Sequence, residues 1–119
     1  MITIVAGGRD FQNYPLVASI LDKYQIDMVL SGAANGADSC GEVYAKRKGI
    51  PCWKFPAKWN IHGKRAGFKR NQEMAKEAKR LIAFWDGKSP GTKNMLFLAK
   101  QYGLEVHCYD YDGEPRLPR

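Results

Sequence analysis

Three stretches of this chain bring small residues together with polar or cationic ones, a combination suited to holding an anion. The first is Gly7-Gly8-Arg9-Asp10-Phe11. Its glycines allow main-chain N–H groups to come close to a ligand, and the Arg9 fork matches a phosphate or carboxylate edge. A tight turn with Arg9 paired to Asp10 or another carboxylate uses the same residue types, and the motif alone does not separate the two. The second stretch, Ser31-Gly32-Ala33-Ala34-Asn35-Gly36-Ala37-Asp38, runs through small residues into a helical pattern. Several amides and the positive end of a helix dipole would there face one anion, with Asp38 in the first turn. Close helix-to-sheet packing, with Ser31 or Asn35 as a cap, is the competing explanation. The third, Trp85-Asp86-Gly87-Lys88-Ser89-Pro90-Gly91-Thr92, again leads into a helix. Capping by Ser89 with Pro90 in the first turn accounts for Ser-Pro without a ligand, but accounts less well for Gly91-Thr92.

A fourth group lies within a helical pattern, where Gly67, Asn71, Met74 and Ala78 form a narrow face. Glycine inside a helix costs about 1 kcal/mol, so close packing or a ligand has to compensate. Arg70 and Asn71 near its start are placed to reach the sheet edge, although Arg70 is also spaced to pair with Glu73 or Glu77. Among the aromatic residues, Trp53 and Trp85 fall within strand patterns and read as core, which leaves Trp59 and Phe11 as candidates to stack on a base. His62 and His107 have no neighbouring nucleophile pattern, and Cys40, Cys52 and Cys108 have no CxxC spacing. No metal site, no cofactor and reduced cytoplasmic thiols are expected.

The elements that would position these residues are short and alternate in type. Apolar runs at 2–6, 27–31, 50–55, 81–85 and 104–109 read as five strands. Between them, helical periodicity appears after Asn13, over about residues 37–48 and 65–79, and up to Gly103. Residues 56–63 read as a connecting loop whose Trp59 folds back over a site. This alternation predicts an α/β fold: a doubly wound, five-stranded parallel sheet with about four helices. Ligands of such sheets bind beyond the carboxyl ends of the strands, where the three stretches lie.

At 119 residues the chain has room for one domain. The net charge of +7 is concentrated, since residues 46–80 carry 12 basic and 2 acidic side chains. Such a field favours phosphate-bearing partners or is merely solubilising. No apolar run approaches the roughly 18 residues that span a bilayer, so neither export nor membrane insertion is expected. The mixed-charge segment 110–119 reads as an arm that orders only against a partner or not at all.

Taken together, GGRDF, SGAANGAD, AGFKRNQEM and FWDGKSPGT resemble the YspA/YpsA-related branch of the SLOG superfamily, which also holds the Lonely Guy and DNA-processing protein A (Smf) families. The resemblance covers residues 1–109. It implies a Rossmann-like fold with strand order near 3-2-1-4-5, a nucleotide or nucleotide-derived (ADP-ribose-like) ligand at the sheet edge, and self-association. With the loop reading above, the expected ligand-binding set is Gly7, Gly8, Arg9, Ser31, Gly32, Ala33, Gly36, Asp38, Arg70, Asn71, Asp86, Ser89, Gly91 and Thr92. Lonely Guy phosphoribohydrolases carry an arginine in an HxRKxxM stretch, matched here by Arg70, and a glutamate in PGGxGTxxE, where this chain has Met95. Methionine moves no proton, so nucleotide N-glycosidic hydrolysis is the alternative only if Asp10, Asp38 or Asp86 supplies the carboxylate. Single-stranded DNA binding is a third expectation, resting on the basic segment and the Smf kinship.

Overall fold

The computed structural model describes residues 1–116. Strands β1 (Ile2–Gly7), β2 (Met28–Ser31), β3 (Cys52–Lys54), β4 (Arg80–Phe84) and β5 (Glu105–Tyr109) form one sheet in the order β3-β2-β1-β4-β5. Every neighbouring pair is parallel. The sheet buries both faces, so alternate strand residues feed two separate cores. Ile4, Leu30, Leu81 and Ala83 face one core, while Val5, Val29, Ile82 and Phe84 face the other.

Helices α1 (Tyr14–Leu21) and α2 (Ala37–Lys48) cover the second core through Val17, Ile20, Leu21, Cys40 and Tyr44. Between β3 and β4 come a one-turn helix α3 (Trp59–His62), a 3-10 turn at Gly63–Arg65, and helix α4 (Ala66–Glu77). Together with α5 (Pro90–Gln101), α4 covers the first core, to which the two contribute Met74, Ala75, Met95 and Leu96. The expected strands and the four longer helices are therefore present. Residues 56–63, read as loop, are in part helical.

Asn13 caps α1 by accepting the Leu16 amide at 3.3 Å, and Gly49 closes α2 in the left-handed conformation. Trp53 departs from expectation. It lies on the edge strand β3, which has a single neighbouring strand, and is 47% exposed with its ring packed 4.5 Å from Phe55. The segment after β5 also departs from expectation. It turns back on its own domain, with the Arg116 amide on the Cys108 carbonyl at 2.7 Å and the Tyr111 ring stacked 4.5 Å from Phe11. Residues 117–119 of the expected arm lie outside the described residues. No helix among the described residues is long and apolar enough to cross a membrane.

β1 lies between β2 and β4, and the chain leaves it in one direction toward β2 and returns on the other side as β4. The carboxyl ends of β1 and β4 thus mark the point where the winding reverses, and the loops that follow them diverge to leave a crevice.

Candidate functional site

A cavity of about 500 Å³ opens at this crevice. Its walls come from the β1 end (Gly7, Gly8, Arg9, Asp10), the β2–α2 connection (Ala34, Asp38), the α3–α4 region (Trp59, Lys64, Gly67, Phe68, Arg70, Asn71) and the start of α5 (Ser89, Pro90, Gly91, Thr92). Met74 and Met95 belong to the lining as well. Nine of the fourteen residues expected to bind a ligand line it: Gly7, Gly8, Arg9, Asp38, Arg70, Asn71, Ser89, Gly91 and Thr92. Ser31, Gly32, Ala33, Gly36 and Asp86 do not line it.

The β2–α2 connection explains most of that difference. Ser31 Oγ accepts the Ala33 amide at 3.0 Å and donates to Glu42 at 2.6 Å. Asp38 turns back from the first turn of α2, and its Oδ2 accepts the Ala34 amide at 3.3 Å. The Ala37 amide is taken by the Gly8 carbonyl at 3.3 Å. The loop read as a phosphate cradle therefore has the amides of Ala33, Ala34 and Ala37 engaged within the protein, one of them by the Asp38 carboxylate. Gly36 is required by packing: its φ is +78°, and a Cβ there would lie 2.3 Å from the Gly8 oxygen. Gly7 is constrained in the same way, a Cβ falling 2.5 Å from the Phe84 oxygen.

Arg70 and Asn71 tie the cavity walls together. The Arg70 guanidinium donates to the Gly32 carbonyl through Nη1 and to Asn71 Oδ1 through Nε at 3.0 Å. Asn71, 5% exposed, donates from Nδ2 to the Gly91 carbonyl at 3.2 Å and to Asn94 Oδ1 at 3.0 Å. Gly32 sits between two charges, since a Cβ on it would be 2.6 Å from Arg70 Nη1 and 2.8 Å from Asp38 Oδ2. Among the described residues Arg70 thus pairs with neither Glu73 nor Glu77 but bridges α4 to the loop that follows β2.

Burial governs the ionisation of both groups. It pushes the Asp38 carboxyl up to about 6, against the opposing pull of Arg70 and the Ala34 amide. Burial also lowers Arg70, which Asp38 offsets and the nearby Arg9 reinforces. Folding therefore brings two guanidinium groups close to each other at one cavity.

The α5 end is organised differently. Asp86 Oδ1 accepts the amides of Lys88 and Ser89, each at 2.8 Å, which fixes the turn and lowers its pKa. Asp86 is exposed, and its role in the structure is that turn rather than a wall of the cavity. Trp85 Nε1 donates to the Ser89 carbonyl at 3.1 Å, which also receives the Lys93 amide at 3.1 Å. The amides of Gly91 and Thr92, in the first turn of α5, have no acceptor among the described residues and border the cavity.

Of the two aromatic candidates, Trp59 lines the cavity and is 53% exposed, whereas Phe11 is buried between Phe84 and Tyr111 and is unavailable. Phe68 and Lys64, also on the wall and exposed, were missed in the sequence. An apolar residue beside Gly67 in a basic helix start was the available signal for Phe68. Met95, at the position of the Lonely Guy glutamate, is buried against the cavity, so the remaining carboxylates there are Asp10 and Asp38. Tyr111 holds Asp10 through a 3.0 Å hydrogen bond, and Arg116 stacks 5.3 Å from the Trp85 ring, so the chain after β5 braces two of the loops. Among the described residues there is no cluster of side chains able to hold a metal.

This topology and crevice define a Rossmann-like α/β domain with a cavity at the strand switch. The model of the YspA, cpYpsA-related SLOG family matches residues 1–62, and the chain belongs to that family. The Gene 61 protein of Mycobacterium phage D29 is 34% identical over 85 residues, which span 66% of this chain and 68% of that protein. The X-ray structure of DNA processing protein A (DprA) from Streptococcus pneumoniae superposes with a TM-score of 0.74 at 17% identity, over 91% of this chain and 49% of the other. At that identity the likeness is one of fold, and the present chain spans about half the length of the DprA chain.

Proposed function

We propose that this domain binds a nucleotide or nucleotide-derived ligand in the cavity at the β1–β4 switch. The observation that carries the reading is one cavity joining free helix amides, at Gly91 and Thr92, with the cations Arg9 and Lys64 and the exposed rings of Trp59 and Phe68. Amides at a helix start and guanidinium forks suit a phosphate, and exposed rings suit a base. Asp38, and Asn71 through the remaining lone pair of its Oδ1, would accept from ribose hydroxyls. Arg70 acts by holding the walls together. The reading carries with it a cytoplasmic chain, consistent with the free thiols of Cys40, Cys52 and Cys108, and self-association through surfaces such as the exposed Phe97 on α5.

The test is calorimetric titration with mononucleotides, dinucleotides, cyclic nucleotides and cyclic ADP-ribose isomers. Binding that weakens about tenfold in Arg9→Ala or Lys64→Ala supports the reading, since a charge-assisted phosphate contact is worth roughly 1.5–3 kcal/mol. Binding of none of them overturns it.

One observation favours a second, enzymatic reading: Asp38 borders the cavity with a carboxyl pushed up to about 6, where it can exchange a proton near neutral pH. In N-glycosidic hydrolysis, water would add to the anomeric carbon and the base would leave carrying a proton. Release of free base from a nucleotide by wild type but not by Asp38→Asn is the expected result. Intact substrate after prolonged incubation removes this reading. A third reading, single-stranded nucleic acid, draws on Lys58, Lys64, Arg65 and Lys69 exposed beside Trp59 and Phe68. It requires oligonucleotide affinity that falls steeply with salt.

A further inference from the structure

Five charged side chains line the cavity: Arg9, Lys64 and Arg70, with Asp10 and Asp38. Asp38 and Arg70 act on each other, so that one buried anion is opposed by one cation. Asp10 follows Arg9 directly in the chain, and a carboxylate beside a guanidinium is an obvious partner for it. The two do not pair. Among the described residues the Arg9 side chain makes no ion pair and no hydrogen bond. Asp10 Oδ1 instead accepts the Tyr111 hydroxyl at 3.0 Å.

Tyr111 is delivered by a turn that the chain builds for itself after β5. Asp110 Oδ1 accepts the amides of Asp112 and Glu114, each at 2.9 Å, the Asp110 amide donates to the Glu114 carbonyl at 2.8 Å, and Gly113 takes a φ of +86°. The Tyr111 ring stacks on Phe11, which is itself stacked 5.2 Å from Phe84. The ring is thus placed by the core, and its hydroxyl is free to serve another purpose. Gly8 makes the reach possible, because a Cβ there would overlap the Tyr111 oxygen. Burial, and then the bond to Asp10, raise the pKa of the hydroxyl above its ordinary value, so it stays a donor at any ordinary pH.

We propose that Tyr111 is a positioning residue for the anion site: by holding Asp10 through its hydroxyl, it keeps that carboxylate off Arg9 and leaves the Arg9 guanidinium open to a phosphate-bearing ligand. Tyr111→Phe keeps the ring stack and releases Asp10, which then competes with the ligand for Arg9. This rests on the nucleotide reading above and adds to it a residue from outside the cavity wall.

The experiment measures, by calorimetry at fixed ionic strength, the affinities of the four ribonucleoside 5′-monophosphates, ADP-ribose and inorganic pyrophosphate. Wild type is compared with Tyr111→Phe, Asp10→Asn and the double variant, and thermal unfolding establishes that each is folded. Tyr111→Phe should weaken binding about threefold to fivefold, the size of an exposed ion pair that the ligand has to break. Asp10→Asn should bind no more weakly than wild type, and in the double variant it should restore what Tyr111→Phe loses. That rescue separates positioning of a charge from bracing of a loop, because an amide at position 10 returns no tyrosine hydroxyl to the loop. Unchanged affinity in Tyr111→Phe, or a loss that persists in the double variant, overturns the inference while leaving nucleotide binding intact. Failure of every probe to bind wild type overturns the parent reading, and this inference falls with it.

Discussion

Helices α2 and α5 each have 12 residues, each follows a central strand, and each is entered through a glycine-containing loop, yet only α2 has an acidic residue, Asp38, in its first turn. At α2 the connecting loop is partly engaged within the protein: Gly36 packs against the β1 loop, the Ala37 amide reaches the Gly8 carbonyl, and the Asp38 carboxylate accepts the Ala34 amide. At α5 a Cβ on Gly91 would meet nothing within 4 Å, and the first amides are open. A run of small residues before a helix is therefore not in itself a ligand site. At α2 the buried Asp38 of the first turn engages one of the loop amides instead.

The contrast is broken most strongly at Gly36. Gly36→Ala should destabilise the fold by about 3 kcal/mol or more in urea unfolding, because it combines a positive φ with a clash against backbone. A loss below about 1 kcal/mol would mean that the α2 start is looser than described. Next in size is the ionisation of Asp38. Its carboxyl rises from 3.8 unfolded to about 6 folded, so the native state holds the proton more tightly. The resulting stability is fully present below pH 3.8 and is lost as pH rises through 6. The shift of roughly two units corresponds to about 3 kcal/mol. Unfolding free energy of wild type relative to Asp38→Asn should fall by an amount of that order between pH 4 and pH 7.5. A flat difference would show that Asp38 is solvated.

How much of this was legible in the sequence follows from the range of the interactions involved. The strands were readable because both faces of the sheet are buried, so runs such as Ile2-Thr3-Ile4-Val5 are mostly apolar and β-branched, whereas the strand order came only from the family resemblance. The convergence of the β1, α4 and α5 segments was readable because winding order alone puts them at one edge. Closure of the β2–α2 loop was not, since Asp38 in a first turn looks the same whether it faces solvent or folds back on residue 34. Phe11 was misjudged because the ring that covers it, Tyr111, comes from the far end of the chain. Trp53 was misjudged because edge position depends on which strands remain unpaired. Lys64 and Phe68 were hidden because the turns at 59–65 have too little periodicity to set their direction.

Two smaller effects sharpen the comparison at the α5 end. Lys64→Ala should reduce nucleotide affinity about tenfold while changing stability by no more than about 0.5 kcal/mol, because its side chain is exposed. A large loss of stability with unchanged affinity would assign Lys64 to the scaffold. Gly91→Ala should leave stability within about 1 kcal/mol of wild type, and on the favourable side, since neither φ nor space opposes the methyl group and alanine suits a helix better. A destabilisation comparable to that of Gly36→Ala would erase the distinction between the two helix starts.

The most direct measurement is an amide-resolved NMR titration of the whole chain with ribonucleoside monophosphates. The Gly91 and Thr92 amides should shift strongly and saturably, those of Ala33 and Ala34 only weakly. Saturable shifts centred on Ala33 and Ala34 with α5 unmoved, or no saturable shift anywhere around the cavity, would contradict the account.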